Sequence, residues 1–260
     1  GVFEYAILEY SGYGIYVSPD CCGNWGSLTV KNSKIRYSGS YGIRLTRVYG
    51  ASVVLEDNEI TGVSSNAIEM SEGYDGGGLV TIRRNKISNS NGGKLYFNHM
   101  SELIFEDNEL TNNKDGHLEF YYGYGDVLVK DNVFKNNNDG YLRFSNLNNL
   151  DNNDSDGVRS IIVENNSIIE EDTDRWGGRV LFQDMNRSVD ILIRNNTIES
   201  RTTAIQLSGN TNNKVRISGN SIKGTKQEET GIYLSQKITG TIENNTIENK
   251  QNGIYVQYSD

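Results

Sequence analysis

Proline occurs once in 260 residues, and cysteine and histidine twice each. The two cysteines, Cys21 and Cys22, are adjacent, so no framework of separated bridges is possible, and no metal-ligand spacing surrounds them. A vicinal disulfide, an intermolecular bridge and two free thiols all remain open for the pair. No apolar run approaches the roughly 18 residues that a membrane span needs. No secretory leader stands at the start, and the first residues already read as a strand, as expected of a mature chain or an excised domain. Hydrophobic residues make up only 35%, too few at this length for a thick globular core, and long amphipathic helical patterns are missing. The formal charge of -9 excludes a large basic face, and with it a nucleic-acid or anionic-membrane partner, although a local basic patch is still allowed.

What the chain does contain is Gly 28, Tyr 16 and abundant Asn and Asp, the composition of short strands joined by turns around an interior about one side chain deep. Its segments repeat. "LTVKNSKI" (28–35), "VVLEDNEI" (53–60), "VTIRRNKI" (80–87), "LIFEDNEL" (103–110), "VLVKDNVF" (127–134), "IIVENNSI" (161–168), "ILIRNNTI" (191–198), "VRISGNSI" (215–222) and "GTIENNTI" (240–247) share one plan. Each is an alternating strand, then an asparagine, one residue and an aliphatic residue.

The asparagine column runs Ser33, Asn58, Asn85, Asn108, Asn132, Asn166, Asn196, Asn220 and Asn245, with Ala6 in a partial first copy; successive positions differ by 23 to 34 residues. Each unit closes on a further short strand, from "IYV" (15–17) through "LEF" (118–120) to "IYV" (254–256). Period-two alternation buries one face of every strand and leaves the other wet. Two or three strands per unit cannot close a sheet alone, but stacked units pair each strand with its copies above and below. The expectation is an all-β right-handed parallel β-helix, a solenoid of about ten coils, forming a single domain over 1–260. The asparagines should bond along the stack at a corner.

These units resemble the parallel β-helix repeats of the pectate-lyase-like superfamily, especially the "NN-x-I … GI-x-L" form of right-handed β-helix and periplasmic copper-maturation-like NosD proteins. The resemblance spans essentially the whole chain and implies the fold and a polysaccharide as ligand. It names no activity, because that superfamily holds lyases, hydrolases, epimerases, phage tailspikes and adhesins. The Asp-Pro-His of alginate epimerases, the Gly-His-Gly of polygalacturonases, the Arg-x-Pro-x-x-Arg of pectate lyases and the calcium nonapeptide repeat are all missing here. Both ends stop on strands without a capping helix, and bare strand edges invite pairing, so flanking sequence, extra domains or an oligomeric cover are expected.

Equivalent positions in successive coils lie about 4.8 Å apart, so the alignment also maps the surface. The outward residue at the centre of the closing strand reads Tyr16, Arg44, Glu69, Tyr96, Glu119, Arg143, Leu181, Gln206, Tyr233, Tyr255. Two residues earlier, also read as outward, stand Gly14, Gly42, Ala67, Lys94, His117, Tyr141, Arg179, Ala204, Gly231 and Gly253. Two residues later come Ser18, Thr46, Ser71, Asn98, Tyr121 and Ser145, then Gln183 or Asp184. Coils three to seven therefore replace a generic pattern with long polar, titratable and aromatic groups. The longest insertions, 145–160 and 169–179, the second carrying Trp176, fall beside them and would turn the flat sheet into a groove.

Two chemistries suit this patch. A uronate lyase would use Lys94, His117 or Tyr141 as base, with a cation neutralising the sugar carboxylate. A hydrolase would use Glu69 and Glu119, two coils and so roughly 9–10 Å apart, near the ~6.5–9.5 Å of an inverting pair. Arg44, Tyr96, Tyr121, Arg143, Arg179 and Trp176 would hold substrate. The blander alternatives are a surface charge ladder for Arg44, Glu69, Glu119 and Arg143, and an exposed imidazole for His117. His99 sits in a turn, and the tyrosines suit an exposed strand as well as a sugar platform.

No cofactor is expected. Asp151, Asp154 and Asp156, or Glu170, Glu171, Asp172 and Asp174, offer oxygens to Ca2+, but none shows the spacing of a calcium loop, and solvated loop charge is the preferred reading. The reading that results is an extracellular or cell-surface domain that binds, and in one version cleaves, an acidic polysaccharide or cell-surface glycan. Its rival is a non-catalytic adhesin or spacer module.

Overall fold

The computed structural model describes residues 1–18, 26–47, 50–71, 78–100, 102–123, 125–138, 140–147, 160–171, 177–185, 189–209, 213–225, 229–235 and 238–257. Cys21, Cys22, Trp176, Asp151, Asp154, Asp156, Asp172 and Asp174 lie outside the described residues. Every element among the described residues is a strand, and the strands form three parallel sheets of ten. Each coil contributes one strand to each sheet. In coil five these are Glu102–Glu106 in the first sheet, Glu109–Thr111 in the second and Leu118–Tyr121 in the third. Pairing is strictly between equivalent coils; Leu118, Glu119, Phe120 and Tyr121 face Leu142, Arg143, Phe144 and Ser145 of the next.

Alternation decides what lies inside. Val30, Leu55, Ile82 and Phe105 line the first sheet, Ile35, Ile60, Ile87 and Leu110 the second, all essentially inaccessible. In the third sheet the inward residue becomes Phe in four consecutive coils, Phe97, Phe120, Phe144 and Phe182, paired rung by rung and fully buried. Phe144 and Phe182 stack with centroids 4.7 Å apart. Burying a side chain of this size contributes about 1.5–3 kcal/mol, so the four rings make this the most heavily packed part of the third sheet.

The first corner is held by the asparagine column. Asn85 donates its backbone N–H to Asn108 Oδ1 at 3.0 Å and its side-chain Nδ2 to the same oxygen at 3.0 Å. Asn108 in turn donates Nδ2 to Ile82 O at 2.9 Å and to Asn132 Oδ1 at 3.1 Å. The pattern continues to Asn245, while Ser33 begins it by accepting from Ala6 N–H at 3.1 Å. The residue before each asparagine turns the chain in the left-handed region, as at Asp57 (φ 55), Asp107 (φ 56), Asn165 (φ 56) and Asn195 (φ 54). Asp and Asn tolerate that conformation better than most residues, which explains the repeated DN and NN pairs.

A second, shorter ladder at the next corner went unnoticed in the sequence. Ser90 N–H donates to Asn113 Oδ1 at 3.1 Å, and Asn113 Nδ2 donates to Asn137 Oδ1 at 2.9 Å. Its trace is the polar pair after each strand of the second sheet, Asn89-Ser90, Asn112-Asn113 and Asn136-Asn137.

Two readings need correction, and one open alternative is settled. The column two residues before the centre of the third-sheet strand is not uniformly outward: Ala67 and Ala204 are fully buried and His117 is 3% exposed. This slot sits where the chain rounds the corner, and in the glycine coils it is closed. A Cβ on Gly42 would stand 2.5 Å from the Ala67 carbonyl oxygen, and one on Gly231 2.6 Å from that of Gly253. Glu170 is not solvated loop charge, since it is buried at 2% exposure; Glu171 does lie outside, 2.8 Å from Lys135 Nζ. Of Gln183 and Asp184, Gln183 continues the third column, facing Ser145.

Asn108→Ala leaves the Asn85 N–H and the Ile82 carbonyl buried without their partner. Urea unfolding is expected to show a loss of about 3 kcal/mol, against less than about 0.5 kcal/mol for the exposed outward Thr197→Ala. Equal losses at the two positions would mean that the ladder does not carry the corner.

Candidate functional site

The register places the central column of the third sheet in the expected order, with Arg44, Glu69, Tyr96, Glu119, Arg143 and Leu181 each facing the next. Backed by the four phenylalanines, the strands of coils four to seven point their opposite side chains into one cluster. Lys94 Nζ lies 2.6 Å from Glu119 Oε2, and Arg143 Nη1 lies 3.4 Å from Glu119 Oε1. His117 Nε2 stands 3.8 Å from the same carboxylate, and its Nδ1 is 2.8 Å from Asp115 Oδ1. Neither contact has the alignment of a full hydrogen bond, and packing also holds the ring. It stacks on Tyr141 at 4.2 Å and 15°, and Arg179 covers the Tyr141 ring at 5.2 Å. Lys94 also lies over Tyr96 at 4.6 Å, and Tyr96 stacks on Tyr121 at 6.4 Å.

Burial by itself would push the Glu119 carboxyl up. The hydrogen-bonding contacts of His117 and Lys94, with the charges of Lys94 and Arg143, outweigh it and bring the group down to about 2. Burial, reinforced by the charge of Glu119, pushes Tyr96 up to about 12 and raises Tyr141 as well. The contact with His117 lowers Asp115 against the opposing effect of burial. At neutral pH both carboxylates are ionised and both phenols protonated. Lys94 and Arg143 face Glu119, and His117 lies between Glu119 and Asp115. Among the described residues Arg179 faces no carboxylate within ion-pair distance, and its guanidinium lies over the Tyr141 ring.

Glu69 and Arg44 form a neighbouring unit. Arg44 Nε is 3.0 Å from Glu69 Oε1, Asn66 Nδ2 donates to Glu69 Oε2 at 2.6 Å, and the Arg44 guanidinium covers Tyr41 at 4.5 Å and Tyr16 at 5.8 Å. Tyr96 stands between Glu69 and Glu119 on the intervening rung. The charge-ladder reading thus describes the pairing, but not the exposure: Glu69 and Glu119 are 9% and 6% exposed. The exposed-imidazole reading of His117 fails on its 3% exposure. His99, in its turn, stacks on Tyr122 at 4.9 Å and is 8% exposed.

Two contributors were missed in the sequence, Asp115 and Asn66. Both stand two or three residues before a column residue, at the corner, where strand alternation gives no direction. Among the described residues no three His, Cys, Asp or Glu side chains converge to hold a metal ion.

The sequence profile of the right-handed β-helix region matches residues 13–173, 75–228 and 156–260, three overlapping stretches that together run from Tyr13 to the last residue. The same comparison against curated proteins and against solved structures returned no match. With its three parallel sheets and this coverage, the chain belongs to the right-handed β-helix family.

Proposed function

We propose that the third sheet binds an acidic polysaccharide across coils three to seven, and that the protein works as an extracellular or cell-surface glycan-binding β-helix. The observation that carries this reading is the Lys94, Arg143 and Arg179 cluster set beside tyrosine rings on one rigid face. Guanidinium forks match sugar carboxylates in geometry and charge. Tyrosine faces pack against the C–H surfaces of sugar rings, and their hydroxyls stay available for hydrogen bonds. Arg179 makes the first anion contact. Lys94 and Arg143 follow by sharing a ligand carboxylate with Glu119.

Cleavage has less support. A general base works best with a pKa near the working pH, and Glu119 at about 2 and Tyr96 at about 12 lie far from it. His117 is covered by Tyr141 and the corner of its own coil. The cluster is therefore read as holding its ligand, with Glu119 ordering the cations.

Calorimetry against polygalacturonate, alginate and hyaluronan, with absorbance at 235 nm and reducing ends followed in parallel, separates holding from turnover. Binding of at least one uronate polymer is expected, with no gain in either signal. Arg179→Ala and Arg143→Ala should each weaken binding about tenfold or more, as loss of a charge-assisted hydrogen bond implies. Retained affinity in both variants would remove the site assignment. A 235 nm signal lost in His117→Ala would replace binding with lyase chemistry.

The cluster also predicts a pH dependence of stability. The Glu119 carboxyl is depressed from 4.5 to about 2 in the folded chain. Its contribution is then complete above about pH 5, falls as pH drops below the unfolded value and is gone below about 2. Comparing Glu119→Gln with the parent by urea unfolding should give a gap on the order of 2–3 kcal/mol at pH 7, narrowing steadily from pH 4.5 to 2. A gap that does not vary with pH would mean that Glu119 is not ionised in the cluster.

A further inference from the structure

The third sheet carries a second concavity beyond the cluster, at coils eight to ten. It is a cleft of about 440 Å³ bordered by Gln206, Glu229, Tyr233, Gln251, Asn252 and Tyr255, within the roughly 300–1,000 Å³ typical of small-molecule sites. Leu181, 5% exposed, lies on the rung between Arg143 and Gln206 and divides the two regions.

The chemistry of this cleft differs from that of the cluster. Tyr233 and Tyr255 form a stacked pair, centroids 5.6 Å apart and 15° from parallel, and Tyr255 is 46% exposed. Tyr233 donates its hydroxyl to Gln257 Oε1 at 2.7 Å, which fixes its ring. Three side-chain amides, each able to donate and accept, surround the rings. No lysine, arginine or histidine is among the described residues that border the cleft. The ammonium of Lys250, next to Gln251, is turned away, donating to Ser200 O at 2.7 Å and Thr202 O at 2.6 Å. The one carboxylate among the described lining residues, Glu229, accepts from Thr203 Oγ1 at 3.2 Å and from the Thr203 N–H.

We infer that this cleft is a separate binding site for a neutral oligosaccharide. Stacked aromatic faces recognise the C–H side of an uncharged pyranose, and paired amides match hydroxyl groups that both donate and accept. An anionic sugar finds no cation among the described lining residues and would meet Glu229. The inference rests on the cleft's own residues and stands apart from the acidic-glycan reading.

The test is calorimetry and saturation-transfer NMR of the intact protein with cellohexaose, xylohexaose, maltohexaose and N-acetylchitohexaose. At least one should bind with a Kd below about 1 mM. Tyr255→Ala and Gln206→Ala should each weaken it about tenfold, whereas Tyr255→Phe, which keeps the ring, stays within about twofold. Binding of uronate polymers should not change in Tyr255→Ala. The inference falls if no hexaose binds at that level, if Tyr255→Ala binds as the parent does, or if Tyr255→Phe is as damaging as Tyr255→Ala. It falls as well if a uronate polymer competes for the same site.

Discussion

Everything in this molecule depends on one repeat distance, the spacing of about 4.8 Å between paired strands, kept in register over ten coils by hydrogen bonds that run along the stack. Backbone pairing alone would tolerate slippage, because a parallel ladder looks the same one pair of residues further on. The buried asparagine column removes that freedom. Each amide bonds both to the backbone and to the amide of the next coil, so a shifted coil would bury several unpaired donors at once. Fixing every coil in phase is what makes a column of side chains a defined surface.

The same spacing explains why the third sheet gathers charge so closely. Side chains at equivalent positions are nearer to each other than most contacts across a globular surface, and long ones shield whatever shorter group stands on the next rung. Glu119 faces outward by alternation and is still only 6% exposed, because Lys94, Arg143 and His117 close over it from the rungs on either side and from its own strand. The four fully buried phenylalanines pack behind the strands that carry the cluster.

That shielding also marks the limit of what the sequence made legible. The asparagine fixes phase and alternation fixes face, so the ladder and the central column, Arg44 through Leu181 and on to Tyr255, could be read residue by residue. Corners follow neither rule. Ala67 and His117 were read as outward and are buried, Glu170 turned inward, and Asp115 and Asn66 reached the site unannounced, all at corners where the chain leaves the period of two. The second ladder, Ser90, Asn113 and Asn137, escaped for a similar reason: its members follow the shortest strands, three residues long in the second sheet, where the pattern has hardly begun before it ends.

A carboxylate in the middle of a cationic face can serve the acidic ligand proposed for it, for an energetic reason. Three cations brought together without it would repel one another and splay into solvent, and each would pay its full ordering cost on binding. Glu119 pays part of that cost in advance by drawing Lys94 and Arg143 inward, and its depression to about 2 measures how strongly they favour its charge. The neighbouring Arg44–Glu69 pair shows the contrasting case: with Asn66 on the second oxygen, its charges are matched one to one. In the cluster Lys94 and Arg143 share Glu119, Asp115 lies against His117, and Arg179 covers Tyr141 at the end nearest the uncharged Leu181 divider. On the proposed reading, a ligand carboxylate that meets Arg179 first advances along the sheet toward Arg143 and Lys94, whereas the described lining of the cleft beyond Leu181 presents amides, tyrosines and Glu229.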